Sequence, residues 1–183
     1  MQLVRAQTRK QLRDVRRLYR TAFPRKERKP FSMIPRKQKA GEMEIFCIED
    51  DAGSFLGLVV TALHRDIVLL NYFAVSPNAR GKGIGSEVLH MIETHLGSRR
   101  LILEIERTDL PAENLEQRKR RKAFYLRAGM QAEPWRVRLF GVEMELLTKN
   151  GSVTFEEYLA LYTHIFSARV KRFIRLLPPA NSV

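Results

Sequence analysis

The sequence predicts an α/β protein in which short strands and amphipathic helices share one core. Its length of 183 residues suits a single domain with a sizeable core. Apolar residues make up 44% of the chain and charged residues 29%, which is typical of globular proteins. Apolar runs alternate along the chain with segments of helical period. The order is a strand, helices, three strands, a glycine loop with its helix, a strand, a helix, a strand pair and a terminal helix.

The four strands expected before the glycine loop are short apolar runs bounded by turn residues. They cover residues 3–6, 44–49, 55–63 and 67–75. The helix after the first strand can be capped by Thr8 and is ended by Pro24. From Pro24 to Lys39, three prolines and a dense set of basic residues predict a loop with one short helix. These cations either recruit an anionic acceptor or form a solvated basic loop.

A basic glycine loop joins the fourth strand to an amphipathic helix. Gly81, Gly83 and Gly85 alternate with other residues, and Arg80 and Lys82 flank the first of them. Glycine lets backbone N–H groups approach a ligand closely. A helix that begins directly after such a loop adds its unpaired N–H groups and the positive end of its dipole. This stretch therefore predicts a site for a phosphate or pyrophosphate.

The spacing of the loop separates it from two common phosphate-binding motifs. A Walker A loop requires GxxxxGK[ST], which the chain lacks. A dinucleotide fingerprint requires GxGxxG, but Ser86 occupies the last position and residues 76–80 separate the strand from the loop. A dinucleotide-binding oxidoreductase stays open as an alternative because an acidic residue, Glu104, follows the loop by about twenty positions.

The strand expected at residues 99–106 begins as a continuous apolar run, which indicates burial. Gly97 precedes it as the expected C-cap of the helix after the glycine loop. Glu104 and Glu106 are two residues apart and therefore share one face of the strand. These carboxylates are either exposed where the sheet opens or line a site.

The last third of the chain predicts a helix, a strand pair and a terminal helix. The basic run 118–122 lies within the first helix, so its cations wrap around the axis and cannot all face one ligand. Residues 135–147 read as a strand pair. Thr154 and Glu157 have capping-box spacing. Residues 167–177 are interpreted as a basic amphipathic continuation of the terminal helix, ended by Pro178 and Pro179.

Cysteine and hydropathy patterns point to the cell interior. The only cysteine, Cys47, excludes an internal disulfide and fits a reducing compartment. The first ten residues lack an apolar signal region, and no apolar run is long enough to span a bilayer. A cytoplasmic protein is expected. The histidines have no ligand spacing, so no metal is expected.

Two motifs together resemble the GNAT superfamily of N-acetyltransferases. Arg80 to Gly85 reads R-x-x-G-x-G after the strand tail 73–75, which resembles the family's acetyl-coenzyme A (acetyl-CoA) loop. AFYLRAGM, from Ala123 to Met130, resembles the family's late motif, in which a tyrosine precedes a glycine by four residues. The resemblance covers about residues 1–148. The run FPRKERKPF looks like a poorly characterised bacterial subgroup of that family.

The resemblance implies a mixed, largely antiparallel sheet flanked by helices. The fourth and fifth strands of such a sheet splay apart, and the pantetheine arm of the coenzyme lies between them. The implied domain covers residues 1–148, and residues 149–183 form a C-terminal helical extension packed on the same domain. Arg118 and Arg121 replace an asparagine and an alanine that the family often has, which puts coenzyme and acceptor contacts on that helix in question.

The resemblance also implies an acetyl-CoA-dependent enzyme that acetylates a primary amine by direct attack in a ternary complex. Tyr125 is the implied general acid that protonates the departing thiolate. A primary amine has a pKa of about 10 and must lose a proton before it attacks; Glu104 is the expected proton acceptor, with Glu106 second. The expected coenzyme-binding residues are Phe73, Ala74, Val75, Arg80, Gly81, Lys82, Gly83, Ile84, Gly85 and Ser86.

The net charge of +13 indicates either that the protein binds an anionic partner or only that its surface is adapted for solubility. Coenzyme phosphates, an acidic substrate and RNA would each suit it. No nucleic-acid-binding module is visible in the sequence, so a basic RNA-binding protein on an acetyltransferase-like fold is a lower-ranked alternative. The acceptor is expected to be a small-molecule or peptide amine, with an anionic one as an option, and the protein a monomer or homodimer.

Overall fold

The computed structural model of the protein describes residues 1–81 and 83–178, apart from the side chain of Lys26. The expected coenzyme contact of Lys82 and the helix stop at Pro179 therefore lie outside the described residues. The strands are β1 Gln2–Arg5, β2 Met43–Glu49, β3 Phe55–His64, β4 Ile67–Val75, β5 Arg100–Glu106, β6 Gln131–Leu139, β7 Val142–Lys149 and β8 Ile174–Leu177. The α-helices are α1 Arg9–Ala22, α2 Met33–Lys39, α3 Ile84–Leu96, α4 Leu115–Arg127 and α5 Phe155–Phe166.

The described chain divides into two compact units. The first contains Met1–Leu63 and Leu70–Gly97, and the second contains His64–Leu69 and the chain from Ser98 onward. In the first unit, β1, β2, β3 and the later part of β4 follow in that order, and β2 pairs antiparallel with both β1 and β3. In the second, the start of β4 pairs parallel with β5, and β7, β6 and β8 follow antiparallel.

The predicted mixed, largely antiparallel sheet with flanking helices is confirmed. Its one parallel pair, β4 with β5, runs only from Ile67↔Arg100 to Leu69↔Ile102, although β4 continues to Val75. The pairing of β4 with β5 therefore ends at Leu69.

Side-chain caps set the starts of two helices, as the sequence predicts. Thr8 Oγ1 accepts from the backbone N–H of Gln11 at 3.2 Å, and the Gln11 side chain accepts from the backbone N–H of Thr8 at 3.1 Å. Thr154 and Glu157 form the same reciprocal pair at the start of α5. Each such cap stabilises its helix by about 1 kcal/mol. No helix among the described residues is long and apolar enough to cross a membrane.

The segment after α5 corrects one expectation. Residues 167–177 were expected to continue the helix, but Ser167 has a φ of 93° and ends it. A 3₁₀ helix, Ala168–Phe173, follows, and β8 then pairs with β6 from Leu139↔Ile174 to Arg136↔Leu177. The helical interpretation is wrong because the free edge of β6 offers unpaired backbone groups to this segment. The boundary at residue 148 stays a prediction.

Glu145 on β7 is a buried carboxylate that the sequence did not reveal. Its side chain is 7% exposed. One of its oxygens accepts from the N–H and the hydroxyl of Thr108, both at 2.7 Å, and the other pairs with Lys122 of α4. Burial alone would raise the pKa of Glu145, but the Lys122 ammonium and the Thr108 donors outweigh it and lower the pKa. This carboxylate therefore ties the end of β5 to α4 as an anion.

We expect Glu145→Gln to lower the free energy of unfolding at pH 7 by about 2–3 kcal/mol, somewhat less than the roughly 3–5 kcal/mol for breaking a fully buried pair, because Lys122 stays 27% exposed. The pKa of Glu145 is lower in the folded protein than in the unfolded chain, where it is about 4.3. The ionised carboxylate therefore stabilises the fold above that unfolded-state pKa, and this stability is lost as the pH falls through the folded-state pKa. The difference between variant and wild type should therefore shrink between about pH 5 and pH 3. Urea unfolding at each pH measures it. Glu116→Gln, at an exposed carboxylate of α4, is the control.

Candidate active site

The glycine loop leaves the end of β4 through the 3₁₀ turn Pro77–Ala79 and leads into α3. Gly81 and Gly83 have φ values of 78° and 75°, in the left-handed region that favours glycine. A Cβ added at either position would meet no atom within 4 Å. Gly83 is the N-cap of α3, where the N–H groups of Ile84 and Gly85 have no intrahelical acceptor. This open, donor-rich turn fits a phosphate group.

The strand tail before the loop, residues 73–75, is held in place by its neighbours in the first unit. A Cβ added at Gly57 of β3 would lie 2.5 Å from the carbonyl oxygen of Ala74. Glycine at this position therefore permits the close approach of β4. Arg80 Nε donates to the carbonyl oxygen of Val75 at 3.2 Å. Sequence reasoning missed Gly57, although a glycine inside an apolar strand is a signal for close backbone approach.

A cleft of about 590 Å³ in the first unit borders the same turn. Its walls come from α1, the start of β3, the turn after β4 and the first residue of α3. They include Arg17, Thr21, Phe55, Ser76, Asn78 and Ile84. The volume is that of a small-molecule site. The sequence did not indicate this cleft because it depends on how α1 packs beside β3.

Tyr125 lies near the end of α4, and its side chain is buried. Gly129, with a φ of 82°, follows the helix, and the N–H of Met130 donates to the carbonyl oxygen of Tyr125 at 3.2 Å. Burial raises the pKa of Tyr125 to about 12, with the Arg121 guanidinium only partly opposing the shift. The phenol is therefore protonated at neutral pH. Within residues 1–81 and 83–178, no group hydrogen-bonds to this hydroxyl.

Glu104 on β5 accepts two hydrogen bonds from α5. The hydroxyls of Tyr158 and Tyr162 both donate to its Oε1 at 2.7 Å. Both tyrosines are buried, so they fix the carboxylate in one orientation. No hydrogen bond to Oε2 comes from the described part of the chain. Helical periodicity alone would place these tyrosines on the apolar face of α5, and it cannot show which hydroxyl meets a distant carboxylate.

The basic run of α4 contains cations that pair with carboxylates and cations that are exposed to solvent. Arg118 donates to Oε1 of Glu106 at 2.8 Å, and Lys122 pairs with Glu145. The three cations between them, residues 119–121, are exposed. The two ends of the run therefore hold carboxylates of the second unit. The ion pair with Arg118 occupies the carboxylate of Glu106, which was the second choice of proton acceptor.

No cluster of metal-ligating side chains occurs in the described ranges. The lone thiol, Cys47, is fully buried on β2, and burial raises its pKa to about 12. A thiol in that state is a poor nucleophile. Cys47 is therefore not a candidate for the chemistry.

A basic segment follows α1 and lies against β4 in the first unit. Tyr72 of β4 packs edge-on against Tyr19 and Phe23, with ring centroids 4.8 and 4.9 Å apart. The Tyr72 hydroxyl donates to the carbonyl oxygen of Glu27 at 3.0 Å, and the N–H of Lys29 donates to the Tyr19 hydroxyl at 2.8 Å. Aromatic packing and backbone hydrogen bonds thus hold the segment on the strand.

A mixed sheet with a short parallel pair and a glycine turn at a helix N-terminus is the arrangement that the family resemblance implied. Residues 12–129 match the family described as Acetyltransferase (GNAT) family. This match spans more than half of the chain, and the chain belongs to that family. The protein is therefore an acyltransferase, and acetyl-CoA is the co-substrate of its family. No curated protein sequence matches the chain.

Solved structures share the fold at low sequence identity. A protein from Bacteroides thetaiotaomicron, provisionally described as a GNAT-family acetyltransferase, is 21% identical with a TM-score of 0.76, covering 92% of this chain and 99% of its own. An aminoglycoside 6'-N-acetyltransferase complexed with coenzyme A is 14% identical with a TM-score of 0.64, covering 84% and 99%. Spermidine N-acetyltransferase from Vibrio cholerae, complexed with CoA and spermine, is 14% identical with a TM-score of 0.62, covering 81% and 94%.

Proposed function

We propose that the protein transfers an acetyl group from acetyl-CoA to a primary amine by direct attack, with Tyr125 as the general acid. The observation that carries the proposal is the glycine turn before α3, where Gly81 and Gly83 are left-handed and a Cβ added at either would meet no atom within 4 Å. Proteins with similar folds include a spermidine and an aminoglycoside N-acetyltransferase, whose acceptors are amines, and this supports an amine acceptor here.

Each proposed role follows from the chemistry of the residue. Bound acetyl-CoA supplies the acetyl group as a thioester. Backbone N–H groups of residues 73–75 hold the thioester carbonyl and its developing negative charge. Glu104 receives the amine proton at Oε2, the oxygen left free by the two tyrosines. The protonated phenol of Tyr125 donates to the departing thiolate. Arg80 and residues 81–86 hold the pyrophosphate, and Cys47 has no part.

Binding of acetyl-CoA tests the proposal. At about a hundredfold over its dissociation constant, the coenzyme should stabilise the fold by about 2.7 kcal/mol. For a chain of this size the melting temperature should rise by about 5–11 °C. Gly83→Val should abolish the rise, because its side chain would occupy open space at the N-cap position, where the pyrophosphate is proposed to bind.

Gly41→Val is the matched control for backbone strain. Gly41 has a φ of 74°, and a Cβ there would also meet no atom within 4 Å. Both variants should lose similar stability without ligand, but Gly41→Val should keep the rise. A wild-type protein that responds to NAD and ignores acetyl-CoA would contradict the proposal. The largely antiparallel sheet already disfavours that outcome, since dinucleotide folds are built on parallel sheets.

A further inference from the structure

We infer that the segment after α1 (residues 24–32) and Asn71 of β4 bind a carboxylate carried by the acceptor amine. The inference rests on the proposed function and names its substrate class: amines with a nearby acidic group, such as amino acids or acidic peptides. Every residue that carries the argument lies in the first unit.

Two buried donors of this region have no acceptor within the described chain. They are Nε of Arg28 and Nδ2 of Asn71. Buried polar groups in proteins are nearly always hydrogen-bonded, and a buried charged donor without an acceptor is costly. Two such donors in one region indicate a ligand that supplies acceptor oxygens.

The orientation of Asn71 follows from its neighbour. Lys29 Nζ lies 3.3 Å from Oδ1 of Asn71. An ammonium group only donates, so the atom facing it must be the amide oxygen. The amide nitrogen therefore points away from Lys29 as a free donor.

The charges of the segment select an anion. Arg28 and Lys29 follow the one acidic residue of the segment, Glu27, whose carbonyl oxygen accepts a hydrogen bond from the Tyr72 hydroxyl. Arg28 Nη1 donates to the carbonyl oxygen of Arg20 at 3.1 Å, which fixes the guanidinium at the end of α1. The net charge of +13 also repels a polycation such as spermidine and attracts an acidic acceptor.

Asn71 is well placed for an acceptor group. It lies two residues beyond the last β4–β5 pair and two residues before Phe73. Residues two apart on a strand share a face and lie about 7 Å apart. A carboxylate at Asn71 thus places an amine a few bonds away beside residues 73–75. Both free donors are shielded from solvent.

The experiment compares acetylation of β-alanine, L-glutamate and glycyl-L-glutamate with that of their carboxamides. For at least one pair, kcat/KM should favour the acid by about tenfold or more, because a site built for a polar group rejects an analogue that lacks it. Arg28→Gln and Asn71→Leu should remove the preference. Arg25→Gln, at an exposed arginine of the same segment, should keep it.

A binding measurement makes the test independent of turnover. With CoA bound, each acid should shift the side-chain ¹⁵N–¹H resonances of Arg28 and Asn71, and its carboxamide should not. Equal shifts for both, or none, would overturn the inference, as would an acid preference that survives in Arg28→Gln. Acetylation of spermidine together with acetylation of none of the three acids would also overturn it while leaving the proposed function intact. Absence of both acetyl-CoA binding and acetyl transfer would instead remove the proposed function.

Discussion

Tyr125→Phe is expected to reduce kcat by about 10²- to 10⁴-fold, the usual size of a general-acid contribution. The substitution removes one hydroxyl and keeps the buried ring, so the fold and the acetyl-CoA-induced melting shift should stay close to wild type. Leu126→Ala, at the 42% exposed neighbour on the same helical turn, should leave kcat unchanged. Steady-state kinetics and thermal melting with the coenzyme measure both quantities.

The pH profile distinguishes this role from others. Because burial raises the pKa of Tyr125 to about 12, the phenol stays protonated across the range of a practical assay. The log kcat/KM profile of Tyr125→Phe should therefore run parallel to that of wild type from about pH 6 to 10. A variant within about threefold of wild type, less than 1 kcal/mol of barrier, would remove the tyrosine from the mechanism.

The parts that the sequence predicted are those whose cause is local. The left-handed Gly83 and the start of α3 follow from neighbouring residues, and so do the capping pairs at α1 and α5. The splay between the fourth and fifth strands was implied by the family resemblance, whose two motifs occur in order along the chain. Tyr125 is buried within the late motif, Ala123 to Met130, in which Gly129 follows it by four residues.

The parts that the sequence missed depend on distant segments. Gly57 is needed because the Ala74 carbonyl approaches from another strand. Tyr158 and Tyr162 read as apolar positions until their hydroxyls reach Glu104, more than fifty residues earlier. β8 forms because β6 leaves a free edge, which no local pattern encodes. Hydrophobic periodicity shows which face of a helix or strand is buried, but not which other element packs against that face.

Glu104→Gln is expected to reduce kcat/KM most at neutral pH, by about 10²-fold, if Glu104 receives the amine proton. An acceptor amine with a pKa of about 10 is increasingly deprotonated as the pH rises, so activity should partly recover toward pH 10. Tyr125→Phe should show no such recovery, because its defect concerns the departing thiolate. Glu106→Gln is the matched control, since Glu106 lies on the same strand and is paired with Arg118.

Tyr158 and Tyr162 allow the catalytic and the structural roles of Glu104 to be separated. Each hydroxyl donates to Oε1, so Tyr162→Phe removes one bond and leaves the carboxylate in place. If Glu104 only anchors α5 to β5, Glu104→Gln and Tyr162→Phe should both lower the melting temperature, and their pH profiles should run parallel to wild type. If Glu104 accepts the proton, only Glu104→Gln should show recovery at high pH, whereas Tyr162→Phe should lower kcat modestly by loosening the carboxylate. Parallel profiles for all three proteins would therefore assign Glu104 to the packing of α5 and leave the proton to another acceptor.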